Sequence, residues 1–559
     1  MYEPSTLSVE VSETGLVRRM AMGESTVIVR YLSHQAPVRL AFLPQRDEFV
    51  WNGRETRNYV DEHVFERLKM FRSNPAPTCS DSTFMRRAYL DLLGVIPSAK
   101  EAREFVANDD PEKRSQLISS LFSRPEFADN WALKWADLLR VEEKVLDRKG
   151  VEVFHRWIRN SISSGKPLNE FVADMLLARG STYENPPANF LRALRKTNQR
   201  GEAAARVFLG TRLQCAQCHN HPFDRWTQDD YYAWSSLFAR VDYKVIENKR
   251  NDRLDKNQFN GEQFVQVKHE GESTNPTSGE VMDPKFLGAD DSVDDDQDRL
   301  RSLAEWLTSS NNRQFARSQV NRLWYHLMGK GLVNPVDDFR ITNPASHPEL
   351  LEQLTDDFID SDFDIRHVLR VIMESETYQL SSSMNETAEY AEVRPRRLAA
   401  EQLLDSQALA IGGALKFNRF EAGQRAMQLP GVHKVRARDE TPSPADRFLF
   451  AFGKPERQMT CECERSDATT LSQALFLVNG DCIDDLLSQQ SNLIGKLLDA
   501  SRSLDEIIDE LYWSALSREP TNEERHHTHS ILARSPSKRK GLEDLAWALL
   551  NAKEFVFRQ

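Results

Sequence analysis

The sequence predicts a mainly α-helical protein with two helical domains, a short N-terminal β segment and a small β-hairpin in the inter-domain linker. Three observations predict this class. Apolar and polar residues alternate with the period of a strand in residues 5–44. Apolar residues recur at helical spacing, behind N-cap residues, in two long blocks that begin at Asn58 and Asp298. A polar stretch separates these blocks, so we divide the chain into 1–46, 47–243, 244–297 and 298–559.

The composition is that of an ordinary globular protein. Hydrophobic residues make up 40% of the 559 residues and charged residues 28%, close to the usual values. There are 73 Lys and Arg against 85 Asp and Glu, which gives a net charge of −12. This acidic balance argues against a surface that binds nucleic acid or anionic membrane. No stretch reaches the roughly 18 apolar residues of a spanning helix, so we expect no integral membrane segment.

The N-terminal segment contains three strand patterns, LSVEV, STVIVRYL and APVRLAFL, with turn residues between them. With Gly15 and Gly23 in the turns, it resembles the last strands of a bacterial immunoglobulin-like (Big-type) repeat. Only about half of such a domain is present, and half a sandwich cannot bury its sheet. We therefore expect the natural N-terminus to lie upstream, with the signal sequence absent from this chain. A β-hairpin that lies on the next domain is the alternative.

Helix signals organise residues 47–243. Residues 59–72 carry apolar residues at helical spacing, and Ser80–Thr83 offers N-caps for a helix that stops at Gly94. Trp131 and Trp135 form an apolar stripe that suits a core. Further helices are predicted after Pro97-Ser98, after Pro111, in VEVFHRWIRNSI, after Pro167 and from about Gly201.

The pentapeptide CAQCH, with Cys215, Cys218 and His219, is a dense group of ligand-type side chains. It rarely arises by chance in a chain with 6 Cys and 13 His. Its spacing suits covalent attachment of haem c, in which two thiols bond to haem vinyl groups and the adjacent His ligates the iron. His221 and Asp224 follow at once, so a zinc or iron site is an alternative. A disulfide or a purely structural role is the third interpretation.

Other parts of the chain bear on this motif. Thr227-x-x-Asp230 reads as a capping box for helix 228–240, which places the motif between two helices. A haem iron can take a second axial ligand, and His326 is the first candidate. His155, Met175 and Met459 are weaker candidates.

Residues 244–297 read as a polar linker. FVQVKH, the turn Asn275–Gly279 and then EVMDPKFL predict a small β-hairpin within it.

The second block is again mostly α-helical. Gly329 and Gly331 stop the helix that carries His326. Residues 337–340 (DDFR) and His347-Pro348-Glu349 carry groups that could act in hydrolysis, although such residues are more often helix caps. The chain shows no Gly-rich phosphate loop, nucleophile elbow or zincin motif.

Cys461-Glu462-Cys463 is the second cysteine pair. In an extended segment, alternate side chains lie about 6–7 Å apart, too far for a disulfide between these two. We therefore expect partners elsewhere: Cys215 and Cys218 through disulfides, or a metal ion shared with His219. Buried free thiols in a polar turn are the alternative. Disulfides to Cys215 and Cys218 would exclude haem thioethers.

Two long stretches carry a family resemblance. TFMRRAYLDLLGVIPS, GSTYENPPANFLRAL and LGTRLQCAQCHNHPFDRWTQDDYYAWSSLFARV lie in residues 47–241, which resemble the planctomycete cytochrome-associated (PSCyt-type) domain. RPRRLAAEQLLD, FGKPERQMTCECERSDATTLSQALFLVNG and LYWSALSREPTNEE lie in residues 298–557, which resemble the planctomycete-surface-type (PSD) domain. Both are families of unknown function. The resemblance implies an exported bacterial protein, periplasmic or on the cell surface, often encoded near a sulfatase-like family.

Together these observations predict an exported redox or electron-transfer protein with a c-type-haem-like site, which serves extracellular polymer degradation. Its implied partner is a redox partner or the sulfatase-like protein, and nucleic acid is not a partner. One alternative is a non-haem scaffold whose cysteines and histidines bind zinc or whose cysteines form disulfides. The other is a metal-dependent hydrolase that acts on complex carbohydrate.

Overall fold

The structure is a computed structural model. It describes residues 1–559 except 5, 32–33, 44, 251–258, 295–297, 383–387, 432–440 and 466–469. The chain forms two compact units, each assembled from separated stretches. Unit 1 contains residues 1–77, 138–393 and 459–462, and unit 2 contains 78–137, 394–458 and 463–559. The boundaries predicted at 46, 243 and 297 divide the chain by sequence pattern and stay predictions.

The helices confirm the mainly α class. In chain order they are α1 (Tyr59–Met70), α2 (Asp81–Leu92), α3 (Ala99–Ala107), α4 (Lys113–Leu121), α5 (Pro125–Leu138), α6 (Glu143–Ser163), α7 (Leu168–Leu177), α8 (Asn189–Ala193), α9 (Thr197–Leu209), α10 (Gln228–Ser236), α11 (Arg299–Leu307), α12 (Arg313–Met328), α13 (Pro348–Asp360), α14 (Ile365–Glu374), α15 (Glu376–Gln379), α16 (Ala400–Ile411), α17 (Pro444–Ala451), α18 (Leu471–Asn479), α19 (Asp481–Ser488), α20 (Leu493–Asp499), α21 (Leu504–Leu516), α22 (Asn522–Leu532), α23 (Lys538–Leu550) and α24 (Lys553–Val556). Short 3-10 helices cover Pro186–Ala188, Gln214–Gln217, Ala426–Gln428 and Glu462–Glu464.

Side-chain caps fix several of these helix starts. Asn58 accepts a hydrogen bond from the Val60 amide, and Ser80 accepts one from Thr83. Ser98 and Glu101 form a complete capping box at α3. Each cap supplies a partner to a backbone amide that the helix leaves unpaired, so the local sequence determines where the helix begins.

The N-terminal β segment consists of β1 (Tyr2–Pro4), β2 (Val9–Val11), β3 (Val17–Arg19), β4 (Gly23–Tyr31) and β5 (His34–Phe42). A three-stranded antiparallel sheet has the order β1-β4-β5, and β2 pairs with β3. Val27 and Ile28 of β4 are buried. The strands predicted in this region are thus confirmed, and the sheet belongs to unit 1.

Residues 241–282 form more β structure than the linker prediction gave. β6 (Gly180–Ser181), β7 (Val241–Val245) and β8 (Gln263–Val267) form an antiparallel sheet in the order β6-β8-β7. The stretch FVQVKH therefore pairs with β6 and β7. Its Val265 is fully buried, which favours this pairing. A hairpin does lie at the turn Asn275–Gly279, but its first strand is β9 (Ser273–Thr274), paired to β10 (Val281–Met282), and not the predicted FVQVKH.

In unit 1, helices α9 and α12 pack together, and the CAQCH segment follows the end of α9. Phe208 of α9 and Trp324 of α12 are fully buried. The side-chain amide of Gln319, on α12, donates hydrogen bonds to the carbonyl oxygens of Val207 and Phe208, both at 3.0 Å. These bonds satisfy carbonyl groups that the end of α9 leaves without helical partners.

Unit 2 has a leucine-rich core in which α16 packs against α21. Two short strands, β11 (Arg396–Arg397) and β12 (Phe557–Arg558), pair antiparallel. Charged side chains lie inside this unit. Arg465 donates hydrogen bonds of 2.8 Å to the carboxylates of Asp137 and Glu401, and Glu401 is fully buried. The motifs RPRRLAAEQLLD and FGKPERQMTCECER thus meet in a buried ionic cluster.

Candidate functional site

The segment with the cysteines begins where α9 ends. Gly210 takes the left-handed conformation at φ 63° and caps the helix. A Cβ at Gly210 would lie 2.7 Å from Cδ2 of Phe339 and 2.9 Å from Oγ of Ser318. The amide of Phe339 donates a 2.9 Å hydrogen bond to the Gly210 carbonyl. Glycine is therefore needed here both for its backbone conformation and for the close approach of residues 337–340.

The two cysteines lie in and just after the 3-10 helix Gln214–Gln217. Cys215 and Cys218 are exposed, and both are free thiols. The carbonyl of Gln217, between them, accepts hydrogen bonds from the side-chain amide of Gln228 at 3.0 Å and from the hydroxyl of Tyr232 at 3.2 Å. Helix α10 thus holds the turn that presents both sulfurs to solvent.

His219 is exposed, and its ring is held through one nitrogen. Nδ1 lies 2.8 Å from the carbonyl oxygen of Asn220. A carbonyl oxygen only accepts, so Nδ1 carries the proton and Nε2 has its lone pair available. The side-chain oxygen of Asn220 accepts a 3.0 Å hydrogen bond from the amide of Gln228, at the start of α10. The Thr227–Asp230 capping box predicted there is confirmed.

His221 and Asp224 occupy the half-buried turn that follows. The amide of Phe223 donates a 3.2 Å hydrogen bond to Nδ1 of His221, so this imidazole is neutral with its proton on Nε2. Burial lowers the pKa of His221, as does Arg340, while Asp224 opposes the shift. Burial raises the pKa of Asp224, against the hydrogen bond from the Arg225 amide.

Residues 337–340 stand beside this turn. Asp337 forms an ion pair with Arg212, and Asp338 forms one of 3.1 Å with Arg340. The charges of Asp338 and Arg340 both act on His221. These two aspartates are therefore ion-pair partners next to the motif. The sequence did not reveal this neighbourhood because residues 225–336 separate the two segments.

The aromatic ring of Phe223 belongs to the same turn as His221 and Asp224. Phe223 is half exposed, and its ring lies 5.5 Å from the guanidinium of Arg30 and 5.7 Å from that of Arg340. Arg30 also donates a 2.7 Å hydrogen bond to the carbonyl of Pro222. The turn is thus fixed from the β4 side as well.

The candidates for a second axial ligand occupy varied environments. His326 is half-buried in the last turn of α12, with its ring 5.4 Å from that of Tyr325. His155 is buried in α6, and Met175 is fully buried in α7. Met459 is about half exposed. The role of His326 stays a prediction.

The expectation for Cys461 and Cys463 is wrong. Both are disulfide-bonded, and the other four cysteines are free, so the bond joins these two to each other. The expected distance holds for an extended segment, whereas residues 462–464 form a 3-10 turn, whose shorter rise per residue brings backbone positions two residues apart closer than in a strand. In this oxidised form neither sulfur is a thiolate, the form that binds metal, so neither serves as the predicted metal ligand.

Among the residues that the structure describes, no group of three or more His, Cys, Asp or Glu is placed to hold a metal ion. Zinc binding by His219, His221 and Asp224 therefore stays a prediction. Within the same described part of the chain, no helix has the length and apolar character to cross a membrane.

Two family models match the chain. PSCyt2, described as a protein of unknown function (DUF1549), matches residues 59–243. PSD1, also described as a protein of unknown function (DUF1553), matches residues 299–532. The chain is a PSCyt2–PSD1 protein. The two resemblances drawn from the sequence are thus confirmed, in the expected order. Neither match includes residues 1–46, so the Big-type resemblance stays a prediction. No curated protein matches the chain, and no solved structure matches it.

Proposed function

We propose that this PSCyt2–PSD1 protein is an exported redox protein that carries haem c on Cys215, Cys218 and His219. One observation carries the proposal: two free, exposed thiols lie in and just after a single 3-10 turn, and the adjacent His219 has its Nδ1 bound to a carbonyl and its Nε2 unengaged among the described residues. This is the donor set that haem c attachment requires. The disulfide between Cys461 and Cys463 leaves both motif thiols available.

The chain's own residues have defined tasks in this proposal. Cys215 and Cys218 would hold the haem through two thioether bonds, each made by addition of one S–H across one vinyl C=C bond, with sulfur on one carbon and hydrogen on the other. His219 would ligate the iron through the Nε2 lone pair, and the Nδ1–H bond to the Asn220 carbonyl would keep the ring in that tautomer and raise its basicity. Gln228 supports both Gln217 and Asn220. Haem c, when bound, supplies one-electron exchange at its iron.

Charged residues beside the motif would tune such a site. Asp338 and Arg340 form an ion pair at the edge of the turn. The charges of both residues, and that of His219, act on the pKa of His221. Charge and hydrogen bonding near an axial ligand shift a haem potential. His326 is the proposed second ligand.

The proposed setting follows from the family resemblance. We propose a periplasmic or cell-surface location, because c-type haem is attached outside the cytoplasm. The proposed partner is a redox protein or the sulfatase-like protein implied by the family. The proposed role is electron transfer that supports extracellular polymer degradation.

The test is maturation of the full chain in the periplasm of a host with cytochrome c maturation proteins. We expect the purified protein to give the pyridine haemochrome spectrum of haem c and to retain haem on a denaturing gel. Cys215→Ala combined with Cys218→Ala should abolish both signals. Cys482→Ala, at a buried free thiol in unit 2, is the matched control and should leave them unchanged.

Other outcomes separate the alternatives. A colourless protein that contains zinc by elemental analysis contradicts the proposal and favours the non-haem scaffold or the hydrolase. A colourless, metal-free protein with a Cys215–Cys218 disulfide contradicts it as well and leaves the scaffold. If haem attaches, His326→Ala should change the low-spin spectrum, and an unchanged spectrum rules out this second ligand.

A further inference from the structure

Basic side chains come together in unit 2, where Arg465 donates hydrogen bonds of 2.8 Å to Asp137 and Glu401. The charge of Arg465 acts on the pKa of Lys134, in α5, and on that of Lys454, just after α17. Both ammonium groups therefore lie close to this guanidinium. We propose that Lys134, Lys454 and Arg465 bind a divalent inorganic oxyanion, sulfate or phosphate.

Neither lysine has a counter-ion within the part of the chain that the structure describes. The ammonium groups of Lys134 and Lys454 form no ion pair and no hydrogen bond with any described residue. Nζ of Lys134 lies 5.6 Å from the ring centroid of Trp131, but a neutral ring does not balance its charge. Both lysines are only partly exposed, so water screens their charges incompletely. An anion would supply the partner that each of them lacks.

Cations outnumber carboxylates at this place. Asp137 accepts a 2.8 Å hydrogen bond from Arg457 as well as the one from Arg465, and Glu401 is also bound by Arg465. Two guanidinium groups therefore share two carboxylates, and the two lysines add positive charges that neither carboxylate balances. A divalent anion balances such an excess, whereas a neutral ligand leaves it and a cation enlarges it.

Further charges near Lys134 do not remove the excess. The carboxylate of Asp91 acts on Lys134, but it accepts hydrogen bonds from Arg396 at 3.1 Å and from Arg558 at 3.2 Å. These three residues together carry one further positive charge. Burial, and then the charges of Arg465 and Arg396, lower the pKa of Lys134 to about 8, which is the effect expected on a cation enclosed among cations. A bound anion favours the charged ammonium and opposes this shift.

The groups that solvent reaches suit an oxyanion. Arg465 keeps 24% of its side chain exposed and Asp137 keeps 16%, whereas Glu401 is fully buried. An incoming anion therefore meets mainly the guanidinium and the two ammonium groups. Arg465 makes three hydrogen bonds to Asp137 and Glu401, and a guanidinium has five N–H donors. It can thus bind both carboxylates and still donate to sulfate or phosphate, beside the point charges of the lysines.

The test is isothermal titration calorimetry on the full chain at pH 7, with sodium sulfate or sodium phosphate as titrant and sodium chloride to hold the ionic strength constant. We expect saturable binding of at least one of the two ions. Lys134→Met and Lys454→Met should each raise its dissociation constant about tenfold. Lys538→Met removes the same charge from an exposed position of unit 2, so it is the matched control and should leave the constant unchanged. The site is independent of the haem proposal, because the motif belongs to unit 1.

Several results would overturn the inference. One is no saturable heat with either ion, and another is a dissociation constant that Lys134→Met and Lys454→Met leave unchanged. Equally strong binding of sodium acetate would also contradict it, because the site would then not distinguish a divalent oxyanion from a carboxylate.

Urea unfolding in chloride buffer separates lost binding from lost folding. Removal of a partly buried charge that has no partner should not weaken the fold, so both variants should be at least as stable as the natural chain when sulfate and phosphate are absent. A clear loss of stability there would show that the lysine already has a favourable role within the fold, and it would contradict the proposed anion site.

Discussion

Replacement of Gly210 by alanine should destabilise unit 1 more than its backbone conformation alone explains. Gly210 has φ 63°, and a left-handed conformation costs an L-residue about 1–2 kcal/mol. The added Cβ would also lie 2.7 Å from Phe339 and 2.9 Å from Ser318. Forcing an atom into such a packed place costs about 1–3 kcal/mol. The expected loss in the free energy of unfolding is therefore about 2–5 kcal/mol.

Gly165→Ala is the matched control in the same unit. Gly165 has φ 70°, and the nearest atom to its added Cβ is Nη1 of Arg366 at 3.3 Å, the end of a flexible side chain. This variant should lose only the conformational term, about 1–2 kcal/mol. Urea unfolding followed by far-ultraviolet circular dichroism compares the two. Equal losses, within about 0.5 kcal/mol, would show that Gly210 does not hold residues 337–340 against the end of α9.

Three further results follow from the geometry. Iodoacetamide should modify Cys215 and Cys218 in the haem-free native chain but spare the two buried free cysteines, as peptide mass spectrometry will show; equal labelling of all four would contradict the exposures. Burial and neighbouring cations lower the pKa of His347 to about 3. As pH falls below about 6.5, His347 therefore takes up a proton in the unfolded chain before it does so in the folded chain, and the free energy of unfolding falls by about 2 kcal/mol at pH 5. His347→Gln should flatten this pH dependence in urea titrations at pH 7 and pH 5. Arg192→Met leaves the buried carboxylate of Asp147 without its cation at 3.0 Å and should cost about 3–5 kcal/mol, part of which a second change, Asp147→Asn, should restore.

Local signals in the sequence predicted the elements well. Thr227 and Asp230 form their capping box because both groups lie within one helical turn. Gly329 ends α12 in the left-handed conformation, as expected for glycine just past a helix. The alternating residues of β4 became a strand with Val27 and Ile28 buried. Each of these features depends on residues within a few positions of one another.

Features that depend on folding were not predictable in the same way. Residues 337–340 lie beside the motif, where Gly210 permits a close approach of Phe339. β8 pairs with β6, more than 80 residues away, which no local pattern specifies. The Cys461–Cys463 disulfide was excluded by a distance that holds for a strand, whereas the segment is a 3-10 turn. The charged groups around Arg465 likewise come from stretches that are distant along the chain.

The central claim is that Cys215 and Cys218 attach haem. Mass spectrometry of the tryptic peptide with both cysteines, from chain matured in the periplasm with cytochrome c maturation proteins, tests it most directly. We expect a peptide heavier by one haem, bonded through both sulfurs. A peptide with two free thiols, or with a Cys215–Cys218 disulfide and no added mass, would contradict it.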